Sequence, residues 1–277
     1  WSFRKAPGFF DVVTYTGNSN SGRTVSHSLG STPGAIIIKQ LDSSGNNWFV
    51  FHRSTGTSKR LSINTTDSAA TTDDRVTAVS STTFTLGNSS EVNFNNSTYV
   101  AYVFAHDDQS FGADSDEAII KCDSYTGNAS TDGPTVDLGF EPQWIMIKNA
   151  DTSADWVTHD SMRGIAFGGN DARLIANVSD AESAGDPFLE ITPTGFKIVA
   201  SAAQYNGSND EMAYIAIRRP HKPPTAGTDV LDIVSGSNSN PNLFSISLLY
   251  ADTVWNKKTS GSGSWMVTSR LTGTKYF

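Results

Sequence analysis

Short runs of Val, Ile, Thr, Phe, Tyr and Trp alternate along the chain with clusters of Asn, Gly, Ser and Asp. Runs of this kind, about 8 to 14 residues apart and bounded by turn residues, predict β-strands. In the first hundred residues they fall near 11–16, 23–28, 35–41, 48–53, 60–64, 75–79, 83–87 and 98–105. STTFTLG, ending at Gly87, alternates polar and apolar positions, as a strand with one wet face does. AIIIK, ending at Lys39, and AYVFA, ending at Ala105, are apolar on both faces, so they are expected to be central strands covered on both sides. No stretch carries a convincing amphipathic-helix period.

The pattern occurs twice. TYTGN at Thr14–Asn18 returns as SYTGN at Ser124–Asn128, and the agreement continues for most of a hundred residues. AIIIK reappears as WIMIK ending at Lys148, RLSIN at Arg60–Asn64 as RLIAN at Arg173–Asn177, and VAYVFA ending at Ala105 as MAYIAI ending at Ile217. A period of this length exceeds a solenoid unit of about 20 to 50 residues and matches a small domain. The reading is therefore a tandem array: a preceding segment at 1–9, a first sandwich at 10–105, an acidic linker at 106–118, a second sandwich at 119–218, a proline-rich linker at 219–228 and a third repeat beginning at 229. Stiff joints of this kind suggest a rod. SWMVTSRLTGTKYF, at the end, aligns with DWVTHDSMRG near Asp155–Gly164, so the third repeat is expected to stop halfway and to lean on another surface. Both ends are read as cuts through a longer protein.

Charged residues make up 17% of the chain against 37% hydrophobic, with 23 glycines. This composition fits an all-β fold of tandem antiparallel β-sandwich domains, jelly-roll or lectin-like in preference to immunoglobulin-like because each repeat offers about eight strands. The net charge of −8 and the scattered basic groups argue against nucleic acid, which demands clustered Lys and Arg. No apolar stretch reaches the length of a membrane span. The lone cysteine, Cys122, cannot form an internal disulfide and reads as a buried thiol. Sequons at Asn64, Asn88, Asn96, Asn128, Asn177 and Asn206 follow from a chain rich in Asn, Ser and Thr more simply than from secretion.

Candidate chemistry is sparse. His52 and His159 follow the Trp-containing strands of the two repeats and are read as equivalent packing residues, since no nucleophile motif accompanies them. Asp42, Ser44 and Asn46 match Asp151, Ser153 and Asp155 in an every-second-residue pattern, but the glycine and the twelfth-place glutamate of a calcium loop are missing, so a hairpin turn is preferred. Glu190 and Glu211 are the main strand carboxylates, and neither has an acidic counterpart in the first repeat, which counts against a glycosidase pair. The expectation is a protein that is not an enzyme and needs no metal or cofactor. Trp48, Trp156 and Trp265 recur and are read as packing residues, whereas Trp144, Tyr205 and Trp255 do not recur and are the candidates for a ligand-binding surface.

APGFFDVVTYTG at Ala6–Gly17, the Leu-Gly-x-x-Pro-Gly turn before IIIK, WFVFHR, LSINTT and TYVAYVFA resemble repeat units of large structural proteins of tailed, especially marine-type, bacteriophages, described as tail-fibre, tail-tip or receptor-binding proteins. SYTGN, LGFEPQWIMIK, HDSMRG and SRLTGTKYF extend the resemblance over nearly the whole chain. It implies a virion component, assembled in the host bacterial cytoplasm, that forms a homo-oligomeric fibre, trimeric by expectation. The partners it implies are other tail proteins and a host-surface glycan or protein. It carries over no catalytic motif. Two other readings remain: non-catalytic modules flanking a polysaccharide-degrading tail spike, or a bacterial surface carbohydrate-binding array.

Overall fold

The computed structural model describes residues 2–112, 115–165, 168–219, 253–256 and 266–269. The chain divides into two compact units, Trp1–Lys222 and Pro223–Phe277. In the first repeat the strands are β1 (Phe10–Thr16), β2 (Arg23–Ser26), β3 (Ala35–Gln40), β4 (Phe49–His52), β5 (Lys59–Ser62), β6 (Ala70–Thr71), β7 (Val76–Val79), β8 (Thr83–Leu86) and β9 (Thr98–Phe104), with the helical turn α1 (Ser90–Asn93) before the last. The second repeat runs β10 (Ile120–Thr126), β11 (Thr135–Asp137), β12 (Pro142–Asn149), β13 (Val157–Asp160), β14 (Leu174–Ile175), β15 (Leu189–Thr192), β16 (Gly195–Ile198), α2 (Ala203–Asn206) and β17 (Glu211–Arg218). Only the two-residue β6 falls outside the strand runs expected for the first repeat.

Each repeat is an antiparallel sandwich. The first has a large sheet, β1-β9-β3-β4-β5-β6, and a small one, β2-β8-β7; the second has β10-β17-β12-β13-β14 and β11-β16-β15. In both, the first strand pairs with the last and the second with the last but one, the nested pairing of a jelly roll. The strands expected to be central are central: β3 and β9, and their counterparts β12 and β17, lie inside the large sheets.

The shared TGN motif closes each sandwich by a buried amide latch. Gly17 N–H donates to Ser97 O at 2.7 Å and Gly127 N–H to Asp210 O at 3.0 Å. A side chain on either glycine would strike the backbone, Phe94 in one repeat and Gly207 in the other. Asn18 N–H then donates to Asn93 Oδ1 at 2.9 Å, and Asn128 N–H to Asn206 Oδ1 at 2.6 Å. Asn93 and Asn206, both fully buried, end the two helical turns. Their amide nitrogens donate to Gly87 O and Asn20 O, and to Ala200 O and Ser130 O, so these buried polar groups are satisfied. Asn206, counted above as a sequon, is therefore an interior residue.

The two repeats share a core instead of standing apart on a spacer. Side chains alternate across a strand, so Ile36, Ile38, Ala101 and Val103 face the small sheet of their own repeat, while Ala35, Val50, Leu61 and Phe104 point the other way and are still buried. Ile120, Cys122, Trp144, Met146, Trp156, Ile215 and Ile217 of the second repeat join the same apolar cluster. The large sheets thus pack face to face, each backed by its small sheet, and the second repeat keeps its own inner core around Ile145, Ile147, Phe196 and Tyr214. This contact explains why IIIK and AYVFA are apolar on both faces.

The acidic segment expected to act as a linker is folded against the second repeat. Asp107 N–H donates to Ile120 O at 2.9 Å, Phe111 and Glu117 exchange backbone hydrogen bonds, and Arg218 pairs with the Glu117 carboxylate. The proline-rich joint lies outside the described residues from Pro220 onward.

In the second unit, β18 (Thr253–Asn256) and β19 (Met266–Ser269) form an antiparallel pair with Asn256 opposite Met266. The strand-to-strand spacing is that of the second repeat, where Ile147 stands opposite Val157. Lys257 and Trp265 hold the sequence places of Lys148 and Trp156.

Candidate functional site

Two of the three residues proposed for a ligand-binding surface, Trp144 and Tyr205, are interior. Trp144 is 9% exposed and Tyr205 0%. By strand register Trp144 takes the place of Ala35, and the extra volume packs edge-on against Phe3 of the N-terminal segment, centroids 6.3 Å apart. Tyr205 sits in α2 and stacks on Phe188 at 4.6 Å. The reason is physical: a large aromatic where its counterpart is small fills a void that differs between repeats, and the YNGS loop carries the latch. Trp255 lies in β18; its side chain is outside what is described.

The histidines differ from expectation in a more instructive way. Phe51 lies opposite Ile36, and His159 opposite Ile145, whereas His52 lies opposite Ala35. With Trp48 and Trp156 aligned, His159 matches Phe51 and not His52. An offset of one residue turns a side chain to the other face of a strand. His52 accordingly faces the second repeat, its Nε2–H donating to Tyr214 O at 3.0 Å while Nδ1 accepts from Ser54 N–H at 3.3 Å. His159 faces inward, its Nδ1–H donating to Ala172 O at 3.0 Å while Nε2 accepts from the Tyr205 hydroxyl at 2.8 Å. Burial pulls both imidazoles down to about 4, so each is a neutral, bonded packing group.

Other candidate ligands are likewise committed. Asp42 accepts from Gln40 and Thr98, Asp151 from Glu211 N–H, and Asp155 from Asn177; these carboxylates clamp hairpins to neighbouring strands. Among the described residues no group of three His, Cys, Asp or Glu converges as metal ligands would. Glu190 lies on β15 of the small sheet and Glu211 on β17 of the large one. The Cys122 thiol donates to Ala105 O at 3.3 Å, and burial raises its pKa strongly, which suppresses thiolate chemistry.

Two concavities among the described residues lie elsewhere. One, of about 550 Å³, is formed by the N-terminal segment, including Phe3, Arg4, Lys5 and Phe9, against Gln143 and Ile217 of the second repeat. The other, of about 470 Å³, opens beside the end of β4. Arg53 brings charge to its rim, His106 an imidazole, Thr32 and Thr57 hydroxyls, and Pro33, Phe51 and Val79 apolar lining. Arg53 Nη1 lies 3.2 Å from Asp123 Oδ1 across the repeat junction. Burial, chiefly, with the charge of Arg53, holds His106 below its ordinary value. Sequence reasoning passed over this groove because Arg53 directly follows His52 and was read only as part of the WFVFHR strand; its replacement by serine, Ser161, in the second repeat is the signal that could have marked it.

No curated protein matches the sequence. Among solved structures, one titled "Crystal Structure of the STIV MCP" is similar at 10% identity, covering 76% of this chain and 95% of that one, with a TM-score of 0.24. A family model described as a domain of unknown function, DUF7483, matches residues 2–220. That span contains both sandwiches and the core they share, and on it the chain belongs to the DUF7483 family.

Proposed function

We propose that this protein is a non-enzymatic structural component of a virion, placed in a tail fibre or tip, that serves host-surface adhesion or holds adhesive parts at a distance. The observation that carries the reading is the shared core: two sandwiches joined face to face, with His52, His159, Lys148, Asn93 and Asn206 all bonded inside the fold. A body whose buried polar groups are spent on rigidity suits a load-bearing scaffold better than a reaction site, where perturbed groups face a cleft. The resemblance of the repeats to phage tail structural proteins supports the same class. On this reading the chain is made in the infected bacterium and assembles with other tail proteins as a homo-oligomer, a trimer by analogy with fibres. Its outward partner is a host-surface glycan or protein.

The test is particle composition. Purified virions of the phage that encodes the chain are expected to contain it by mass spectrometry, and antibodies to it are expected to label the tail in negative-stain microscopy. Absence from particles, or labelling of the capsid alone, overturns the tail assignment. Light scattering of the purified full chain is expected to give a trimer mass; a stable monomer removes trimerisation.

A further inference from the structure

We infer that the groove beside the end of β4 is a binding site for a carboxylate-bearing sugar unit, held by Arg53. The inference rests on the adhesive reading only for the biological source of the ligand; the site itself is argued from its lining. The chain carries a net charge of −8, yet no carboxylate lines this groove. At ordinary ionic strength charges beyond about 8 Å are screened, so the local field is set by Arg53 together with Asp123, whose Oδ1 lies 3.2 Å from it. Arg53 offers five N–H donors in a fixed fork that suits a carboxylate bidentately, and its contact with Asp123 engages one end of that fork.

The N–H donors of Arg53 that Asp123 leaves unengaged can take one further carboxylate. The hydroxyls of Thr32 and Thr57 can exchange hydrogen bonds with ring hydroxyls, and the buried Pro33 and Phe51 close the groove from behind. The volume, about 470 Å³, lies within the range of small-ligand sites. Gly56, on the lining, has φ +72° and nothing within 4 Å of where a side chain would begin, so the turn leaves the mouth open.

The fold does not require this arginine. Arg53 N–H donates to Gly34 O, and its counterpart Ser161 N–H donates to Gln143 O, so both repeats keep the backbone bond while only the first carries the charge. An exposed ion pair such as Arg53–Asp123 contributes little to stability, which leaves recognition as the use of the side chain.

The experiment is an NMR titration of the full chain with D-glucuronic acid, D-glucose and inorganic sulfate. Glucuronic acid is expected to shift resonances of Arg53, Thr57 and His106 with a dissociation constant in the millimolar range, as suits a single sugar, and to bind about tenfold or more tightly than glucose, the worth of a charge-assisted pair. Arg53→Gln is expected to remove that preference while leaving the Tm unchanged. Thr57→Trp keeps the guanidinium but fills the groove, and is expected to abolish binding even if the first variant folds poorly. The inference is overturned by glucose binding as well as glucuronic acid, by sulfate binding as tightly as the sugar acid, by undiminished binding in either variant, or by no shifts at saturating ligand. Particle composition is read separately: a chain present in tails that ignores glucuronic acid sinks the groove alone, and one that binds it but is absent from particles sinks the virion assignment alone.

Discussion

Trp156 and Trp48 hold the same place at the start of matching strands, yet they meet different surroundings. Each accepts at its carbonyl from the strand that follows, Ala176 N–H to Trp156 O and Ile63 N–H to Trp48 O. Trp156 is 2% exposed and its indole N–H donates across the repeat boundary to Ser62 O at 2.9 Å. Trp48 is half-buried and lies flat on Tyr102 of its own sheet, 6.4 Å between centroids. The lysines show the same asymmetry. Lys148 is fully buried and its ammonium donates to Ala154 O and, across the boundary, to Thr66 O. Lys39 is half-buried and bonds only within its own repeat, to Asn46 O. Duplication therefore preserved the hairpin and its residues, while docking of one copy on the other gave them unequal jobs.

The largest effect should separate the tryptophans. Trp156→Ala is expected to cost about 3–5 kcal/mol, the range for deleting a buried aromatic, and Trp48→Ala about 1–2 kcal/mol, since less of its surface leaves water. Urea unfolding of the full chain measures both. Equal losses would mean that the two sites are packed alike and would remove the asymmetry.

Acid should act through the two histidines of unlike placement. Their folded values of about 4 lie below the ordinary 6.5, so as pH falls the unfolded chain takes up protons first. Stability is full above about pH 6.5 and is lost toward pH 4, by on the order of 3 kcal/mol per histidine. His52→Gln and His159→Gln should each flatten part of the stability–pH profile. If His52→Gln alone removes the whole slope, the inner histidine is not buried neutral.

The lysine pair is the finer test. Lys148→Ala leaves two carbonyls without their donor and is expected to cost about 2–3 kcal/mol, whereas Lys39→Ala should cost less than about 1 kcal/mol. Burial holds the Lys148 ammonium down to about 8, and its titration followed by side-chain NMR should show that depression. Matching losses would place both lysines in similar surroundings.

Much of the fold was legible because it is local. Strand positions followed from β-branched and aromatic runs cut by turn residues, and the central strands from runs apolar on both faces. The TGN repeat was visible as a motif, but its reason was not: Asn93 and Asn206 lie roughly eighty residues from the amides they hold, on four-residue helical turns too short to leave a period. His52 and His159 looked equivalent because both follow a Trp and a short apolar run, and only strand pairing revealed the one-residue offset. Trp144 and Tyr205 stood out as unique aromatics, and uniqueness marked a change in core shape instead of a surface.

The amino-acid sequence by itself determined the duplication, the all-β class and the faces each strand would bury, because side-chain alternation and turn chemistry act over a few residues. Tertiary structure decided what covers the outer faces, which of two matching tryptophans and lysines is buried, and where Arg53 and His106 meet in a groove. Those outcomes depend on docking between surfaces far apart in the chain, and a strand that is apolar on both sides states that it must be covered without naming its cover.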